Sequence, residues 1–162
     1  MDRFYGKYIG IVTDNEDPKN LCRLKVTVPE VMGEQATGWC LPNSPYAGPG
    51  VGWAAVPPLD ALVLVEWPAG DVTRTPVWAG AIWSDGAGVP DAGPAAVLLV
   101  TPGGHQVQLI DEPEGDAAIV LTAASGAVLR LDGDGVQVEF GTQKIAMTDA
   151  KISFNGGALE VS

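Results

Sequence analysis

The side chains in this sequence that could do chemistry are few and widely separated. The single histidine, His105, follows Gly103-Gly104. Imidazole is suited to moving protons near neutral pH, but a catalytic base needs a nucleophile to activate and an acidic group to orient it, and no motif places either around His105. It reads as a structural histidine that hydrogen-bonds its own backbone or a neighbouring chain. Asp111-Glu112 and Asp132-Gly133-Asp134-Gly135 are clustered carboxylates, of the kind glycoside hydrolases use as acid and base and calcium loops use as oxygen ligands. The second cluster lacks the later ligands of a calcium loop, and its glycines suit a tight turn between short strands. Asp111 to Gly115 likewise reads as a solvated turn. Cys22 and Cys40 have no close metal-ligand partner in sequence. They read as free thiols acting as small buried hydrophobes, with a disulfide as the alternative. No catalytic residue, cofactor or metal is expected.

The elements that would position such residues are strands. The chain has 162 residues, is 46% apolar, and contains 21 glycines and 13 prolines. Glycine costs backbone entropy in a helix and proline removes a donor, so this composition favours an all-β fold. Tyr8 to Val12 is a first strand, ended by the turn formers Asp14 to Pro18. From Leu21 to Val28, Leu24, Val26 and Val28 alternate with Arg23, Lys25 and Thr27, the period of a half-buried strand. Runs at Trp53–Val56, Ala61–Trp67 and Val77–Trp83 follow. About five short strands suit a small closed barrel, which leaves no exposed sheet edge. All five tryptophans (Trp39, Trp53, Trp67, Trp78 and Trp83) lie in this half; each taken singly reads as core, with an interface as the other use of such rings.

Residues 1–84 are therefore read as an OB-like head and 85–96, rich in glycine, proline and alanine, as a linker. Residues 97–162 are read as a repetitive run of very short strands. Its apolar positions are Val107, Leu109, Ile119, Leu121, Leu129, Leu131, Val136, Val138, Phe140, Ile145, Met147, Ile152, Phe154, Leu159 and Val161. The last strand starts, at 136, 145, 152 and 159, are nine, seven and seven residues apart, a spacing that points to a β-helix or β-prism repeat. Each strand offers two or three apolar side chains, too few to enclose a core within one chain. Three ribbons wound about one axis would bury these residues and pair each strand edge with a neighbouring chain, so that folding and trimerisation become one event.

Several pieces resemble one family in order and spacing. In the head they are Tyr8-Ile-Gly-Ile-Val-Thr-Asp-Asn, Asp17-Pro-Lys-Asn-Leu-Cys-Arg-Leu-Lys-Val-Thr-Val-Pro-Glu, Gly38-Trp39, and Pro45-Tyr-Ala-Gly-Pro-Gly-Val-Gly-Trp53. In the spike they are Pro102-Gly-Gly-His-Gln-Val-Gln-Leu-Ile-Asp-Glu, Gly115, Ile119 to Thr122 and Gly126 to Asp132. These resemble phage baseplate assembly protein V, the tail spikes of contractile phages and the VgrG-like spikes of type VI secretion. Where that family has glycine before arginine, this chain has Cys22-Arg23. The resemblance implies an OB-fold head beneath a ring-shaped hub protein and an intertwined trimeric β-helix projecting toward the target membrane, a central spike that pierces mechanically. Some relatives insert a lysozyme domain where this chain has only its linker, so no peptidoglycan cleavage is expected. Others bind iron at a histidine tip that is missing here. The sequence stops after Ser162, which implies a blunt end where Leu159, Glu160, Val161 and Ser162 would dock a separate tip protein of the PAAR type.

Charge limits the partners further. The formal net charge is −11 with a pI near 4.2, a field that repels phosphate backbones and anionic lipid, so neither nucleic acid nor stable membrane insertion is expected. Residues 1–10 carry charge without the apolar run of a signal peptide. Assembly in the cytoplasm into a virion tail or injection particle is expected. The alternative reading is an OB-fold module on a trimeric stalk that binds carbohydrate or protein; a trimeric fibre or adhesin shares the spike but lacks a receptor-binding domain after it.

Overall fold

The alternation between Leu24 and Val28 becomes one wall of a closed core: Leu24, Val26 and Val28 are completely buried, while Arg23, Lys25 and Thr27 are half-buried on the other side. The computed structural model describes residues 3–112, 115 and 117–161. It divides the chain into two units, Met1–Ala87 and Gly88–Ser162.

In the first unit the strands are β1 (Tyr8–Asp14), β2 (Lys25–Thr27), β3 (Leu41–Pro42), β4 (Ala47–Gly48), β5 (Val51–Gly52), β6 (Leu62–Glu66) and β7 (Val77–Ile82), with a single helical turn, α1 (Pro29–Met32), after β2. Five of them form a curled sheet in the order β2-β1-β6-β7-β3, and β4 pairs with β5 in a small separate hairpin. The two edges of the curled sheet meet through a bridge between Leu24 and Cys40, whose backbones exchange hydrogen bonds of 3.3 and 2.7 Å. Closure is completed where Thr37 N–H donates to the Val26 carbonyl at 2.8 Å. The result is an OB-like barrel around Val12, Leu24, Val26, Val28, Cys40, Val63, Val65, Trp67 and Trp78.

The glycine in Tyr8-Ile-Gly-Ile-Val has a packing reason. A Cβ at Gly10 would lie 2.8 Å from Val65 Cγ2 and 3.3 Å from Val26 Cγ2, so the strands can close only over a hydrogen atom there.

Several expectations need correction. Trp53–Val56 is not a strand: after β5 the chain has no regular structure, Trp53 N–H turns back to the Tyr46 carbonyl at 2.8 Å, and Pro57-Pro58 that follow have no amide donors. Trp67 and Trp78 are core, but Trp53 and Trp83 are 61% and 69% exposed. Trp39 lies between these extremes, with the Arg23 guanidinium 5.3 Å and the Lys25 ammonium 4.6 Å from its ring centre, a cation–π arrangement on the outer wall. Cys40 is the buried free thiol expected, its pKa pushed up by burial, whereas Cys22 is only partly buried.

The loop between β1 and β2 is organised by one carboxylate. Asp17 accepts hydrogen bonds from the backbone N–H groups of Lys19 (2.9 Å), Leu21 (2.8 Å) and Arg23 (3.3 Å), and from Arg23 Nε at 3.0 Å. The Arg23 side chain, aided by these amides and opposed by desolvation, holds the Asp17 carboxyl well below the usual range. Drawing the loop in this tightly puts Asn20 and Cys22 at φ of 53° and 55°. The Cys22 carbonyl in turn accepts from Trp78 Nε1 at 3.0 Å, tying the loop to the core.

In the second unit the strands are β8 (Ala96–Val100), β9 (Gln106–Ile110), β10 (Ala118–Thr122), β11 (Val128–Asp132), β12 (Gly135–Phe140), β13 (Gln143–Met147), β14 (Ile152–Phe154) and β15 (Leu159–Val161). They pair antiparallel in sequence order as one eight-stranded sheet. This differs from the expected pairing of each edge with a neighbouring chain: hairpin turns satisfy the ladder within the chain and leave open only the outer edges of β8 and β15. The first strand, β8, was not among the predicted strands, and it begins at Ala96, assigned above to the linker.

Two outcomes are expected from the head. Because a non-glycine residue at φ 55° is strained, Cys22→Gly should raise stability by about 1 kcal/mol, read as a higher thermal midpoint; a lower midpoint would refute the strain. For Asp17 the native state lowers the carboxyl pKa, so its contribution is complete above the ordinary value of 3.8 and is lost as pH falls below it. Asp17→Asn should therefore melt well below the wild type at pH 7, with the gap closing in acid.

Candidate functional site

Strand register turns a list of apolar residues into a surface. Residues directly opposite in an antiparallel pair point to the same side of the sheet. Following the pairs across the sheet gives one continuous row, Val97, Leu109, Ile119, Leu131, Val136, Met147, Ile152 and Val161. A second row runs beside it: Leu99, Val107, Leu121, Leu129, Val138, Ile145, Phe154 and Leu159. Phe140, opposite Gln143, adds one more apolar side chain to that face. Every apolar position predicted for the spike interior thus lies on one side of one sheet. Sequence reading missed Val97 and Leu99, because Val97-Leu98-Leu99-Val100 is an unbroken apolar run in which no alternation shows which residues share a face.

Nothing in the chain's own described residues covers this face. Val107, Leu121 and Leu109 are 39 to 41% exposed, Ile119 45%, Val138 46%, Met147 47% and Phe140 59%. A contiguous apolar surface of this kind marks an interaction site.

The opposite side is chemically different. There Arg130 Nε lies 2.6 Å from Asp132, and Lys144 Nζ lies 2.8 Å from Glu139 and 2.6 Å from the Gln137 side-chain oxygen; Lys151 pairs with Glu160. These are ordinary solvent-side cross-strand and neighbour pairs, screened by water. On that side Ala118 and Val120 of β10 are buried, with Gln108, Arg130 and Asp132 among the residues opposite them.

His105 and the Asp132–Asp134 pair are held in turns. His105 N–H donates to Thr101 Oγ1 at 3.1 Å, and His105 Nδ1 accepts from Ala124 N–H at 3.3 Å, so the imidazole joins the β8–β9 turn to the β10–β11 turn. Asp134 N–H donates to Asp132 Oδ1 at 3.0 Å, closing the β11–β12 hairpin, and Arg130 lowers the Asp132 pKa. At the end of that hairpin Gly135 is irreplaceable for a steric reason: a Cβ there would sit 2.0 Å from the Met147 carbonyl oxygen. The expected turn from Asp111 to Gly115 includes Pro113 and Glu114, which lie outside the described residues. Among the described residues no three His, Cys, Asp or Glu side chains gather as a metal site. At the C-terminal edge Leu159 and Val161 are 57% and 56% exposed and Glu160 is held by Lys151; Ser162, the fourth residue of the predicted tip-docking set, lies outside the described residues.

An OB-like barrel followed by a sheet with one uncovered apolar face defines a structural protein that completes its core by association. Residues 8–83 match the type VI secretion system/phage-baseplate injector OB domain, and residues 96–160 match the phage baseplate V C-terminal trimerisation domain. The chain belongs to the phage baseplate V family and is a baseplate structural protein of the phage-tail or type VI kind. No curated protein matches it.

Placing a charge on the apolar face separates this surface from the solvent side of the same sheet. Ile119→Asp should convert the native oligomer to a lower-mass species in light scattering, while Gln137→Glu, which keeps an acceptor for Lys144, should change stability by less than about 0.5 kcal/mol. Equal behaviour of the two variants would contradict the assignment.

Proposed function

We infer that the chain is the central spike of a contractile tail or injection particle, working as a homotrimer that carries mechanical load rather than catalysing a reaction. The observation that carries this reading is the pair of uncovered apolar rows running the whole length of the second unit.

Dimensions favour three copies. A five-residue strand spans about 17 Å. Three sheets of that width, arranged as a triangular prism with apolar faces inward, put the axis about 5 Å from each sheet, half of the roughly 10 Å at which sheets pack face to face. Four sheets would leave the centre about 8 Å away and hollow, and two would leave the prism open at the sides. Within the prism the residues from Val107 to Val161 named above, together with Val97 and Leu99, form the trimer core. Eight strands stacked about 4.8 Å apart make a needle about 34 Å long. Each half-exposed Leu, Ile or Val that becomes buried contributes about 1 kcal/mol. Axial load then falls on eight strands in continuous ladders with a shared core, where no separate tertiary unit opens first.

In this reading the OB head meets the hub protein of the baseplate. The open edge of β15, with Leu159 and Val161 exposed beside Glu160, receives a conical tip protein of the PAAR type. The trimer is assembled in the cytoplasm, becomes part of the tail or injection particle, and is driven through the target envelope when the sheath contracts.

Native mass measurement of the purified chain is the first test, with three times 16.8 kDa expected; a stable monomer at micromolar concentration would overturn the needle. Particles carrying Ile119→Asp should then fail to permeabilise target cells although their sheaths contract on triggering. Undiminished puncture by such particles would remove the piercing role.

A further inference from the structure

A second uncovered surface lies in the head. The hairpin β4–β5 and the chain that follows it stand over β7 and the β1–β2 loop and enclose a groove of about 410 Å³. Tyr46, Val51, Trp53 and Leu21 line it and are 53 to 62% exposed, with the buried Trp78 at its floor. None of its lining residues is charged, in a chain that carries 29 charged side chains. A solvated surface of this protein would not lack charge over such an area, and depletion of charge together with exposed Tyr and Trp marks the core of a protein interface.

We propose that this groove is a contact between heads, occupied in the assembled protein by the neighbouring copy of the same chain. One observation favours a second copy as the occupant. The groove's lining residues Trp78 and Gly80 belong to β7, β7 ends at Ile82, and the trimerisation domain begins with β8 at Ala96. Thirteen intervening residues reach at most about 45 Å. Three heads so tethered face one another at an effective concentration of about a millimolar, enough for an uncharged aromatic groove to be filled without high intrinsic affinity. In a closed ring each head would offer its groove to one neighbour and a different apolar patch to the other, a heterologous contact that the threefold arrangement allows. The inference rests on trimerisation but not on the piercing role.

The chain contains its own probe. Cys22 lines the groove and is partly exposed, whereas Cys40 is fully buried in the barrel and serves as the silent control. In the full-length native trimer, Cys22 should react with a maleimide at least about tenfold more slowly than in the Ile119→Asp variant, whose heads are released from one another. Val51→Asp places a charge in the groove while leaving the spike intact; it should retain the trimer mass and speed Cys22 labelling to the released rate. This second variant carries the comparison if Ile119→Asp does not fold. Rapid Cys22 labelling in the wild-type trimer overturns the proposal. So does protection that appears only when other baseplate proteins are added, which would give the groove to one of them.

Discussion

The structure depends on one imbalance: the second unit has a complete hydrogen-bond ladder and only half of a core. Each strand from β8 to β15 pairs with the next in the chain, so backbone polarity is satisfied locally except along the outer edges of β8 and β15. What it lacks is a second layer. Sheets are stable when an apolar face is packed against something, and here two rows of Val, Leu, Ile, Met and Phe face solvent. The cost of that exposure, rather than any specific polar contact, drives the chain to associate.

The head solves the same problem alone. Its sheet curls until β2 and β3 meet, and the seam at Leu24 and Cys40 closes a core that excludes water completely around Val26, Val28, Val63 and Val65. The closure is demanding locally. Gly10 is required where strands approach too closely for a methyl group, and Asp17 draws a loop around itself tightly enough to force Cys22 into a left-handed conformation. A glycine at position 22 would adopt that conformation without strain. Arg23, held by Asp17, keeps its place.

The two units thus divide labour by the way each meets its apolar surface. The barrel is self-sufficient and can present loops and a groove to other surfaces. The meander is regular, repetitive and incomplete, and regularity lets identical copies meet along their whole length. Charge is arranged accordingly, with ion pairs such as Lys144 with Glu139 on the side away from the apolar rows.

Much of this was legible in the residues. Period-two alternation identified the strands, and the apolar positions from Val107 to Val161 could be named because alternation assigns each side chain to a face without knowledge of its neighbours. The insufficiency of that face for a single chain followed from strand length. Where alternation fails, as in Val97 to Val100, the sequence was silent, and the strand there emerged only from its pairing with β9. Only the tertiary structure decided that the spike ladder closes within one chain, that Trp53 and Trp83 face solvent while Trp67 and Trp78 fill the barrel, and that Cys22 sits at positive φ. Pairing partners, exposure and loop strain depend on which distant segments meet, and a linear pattern carries the period of a strand but not its neighbours.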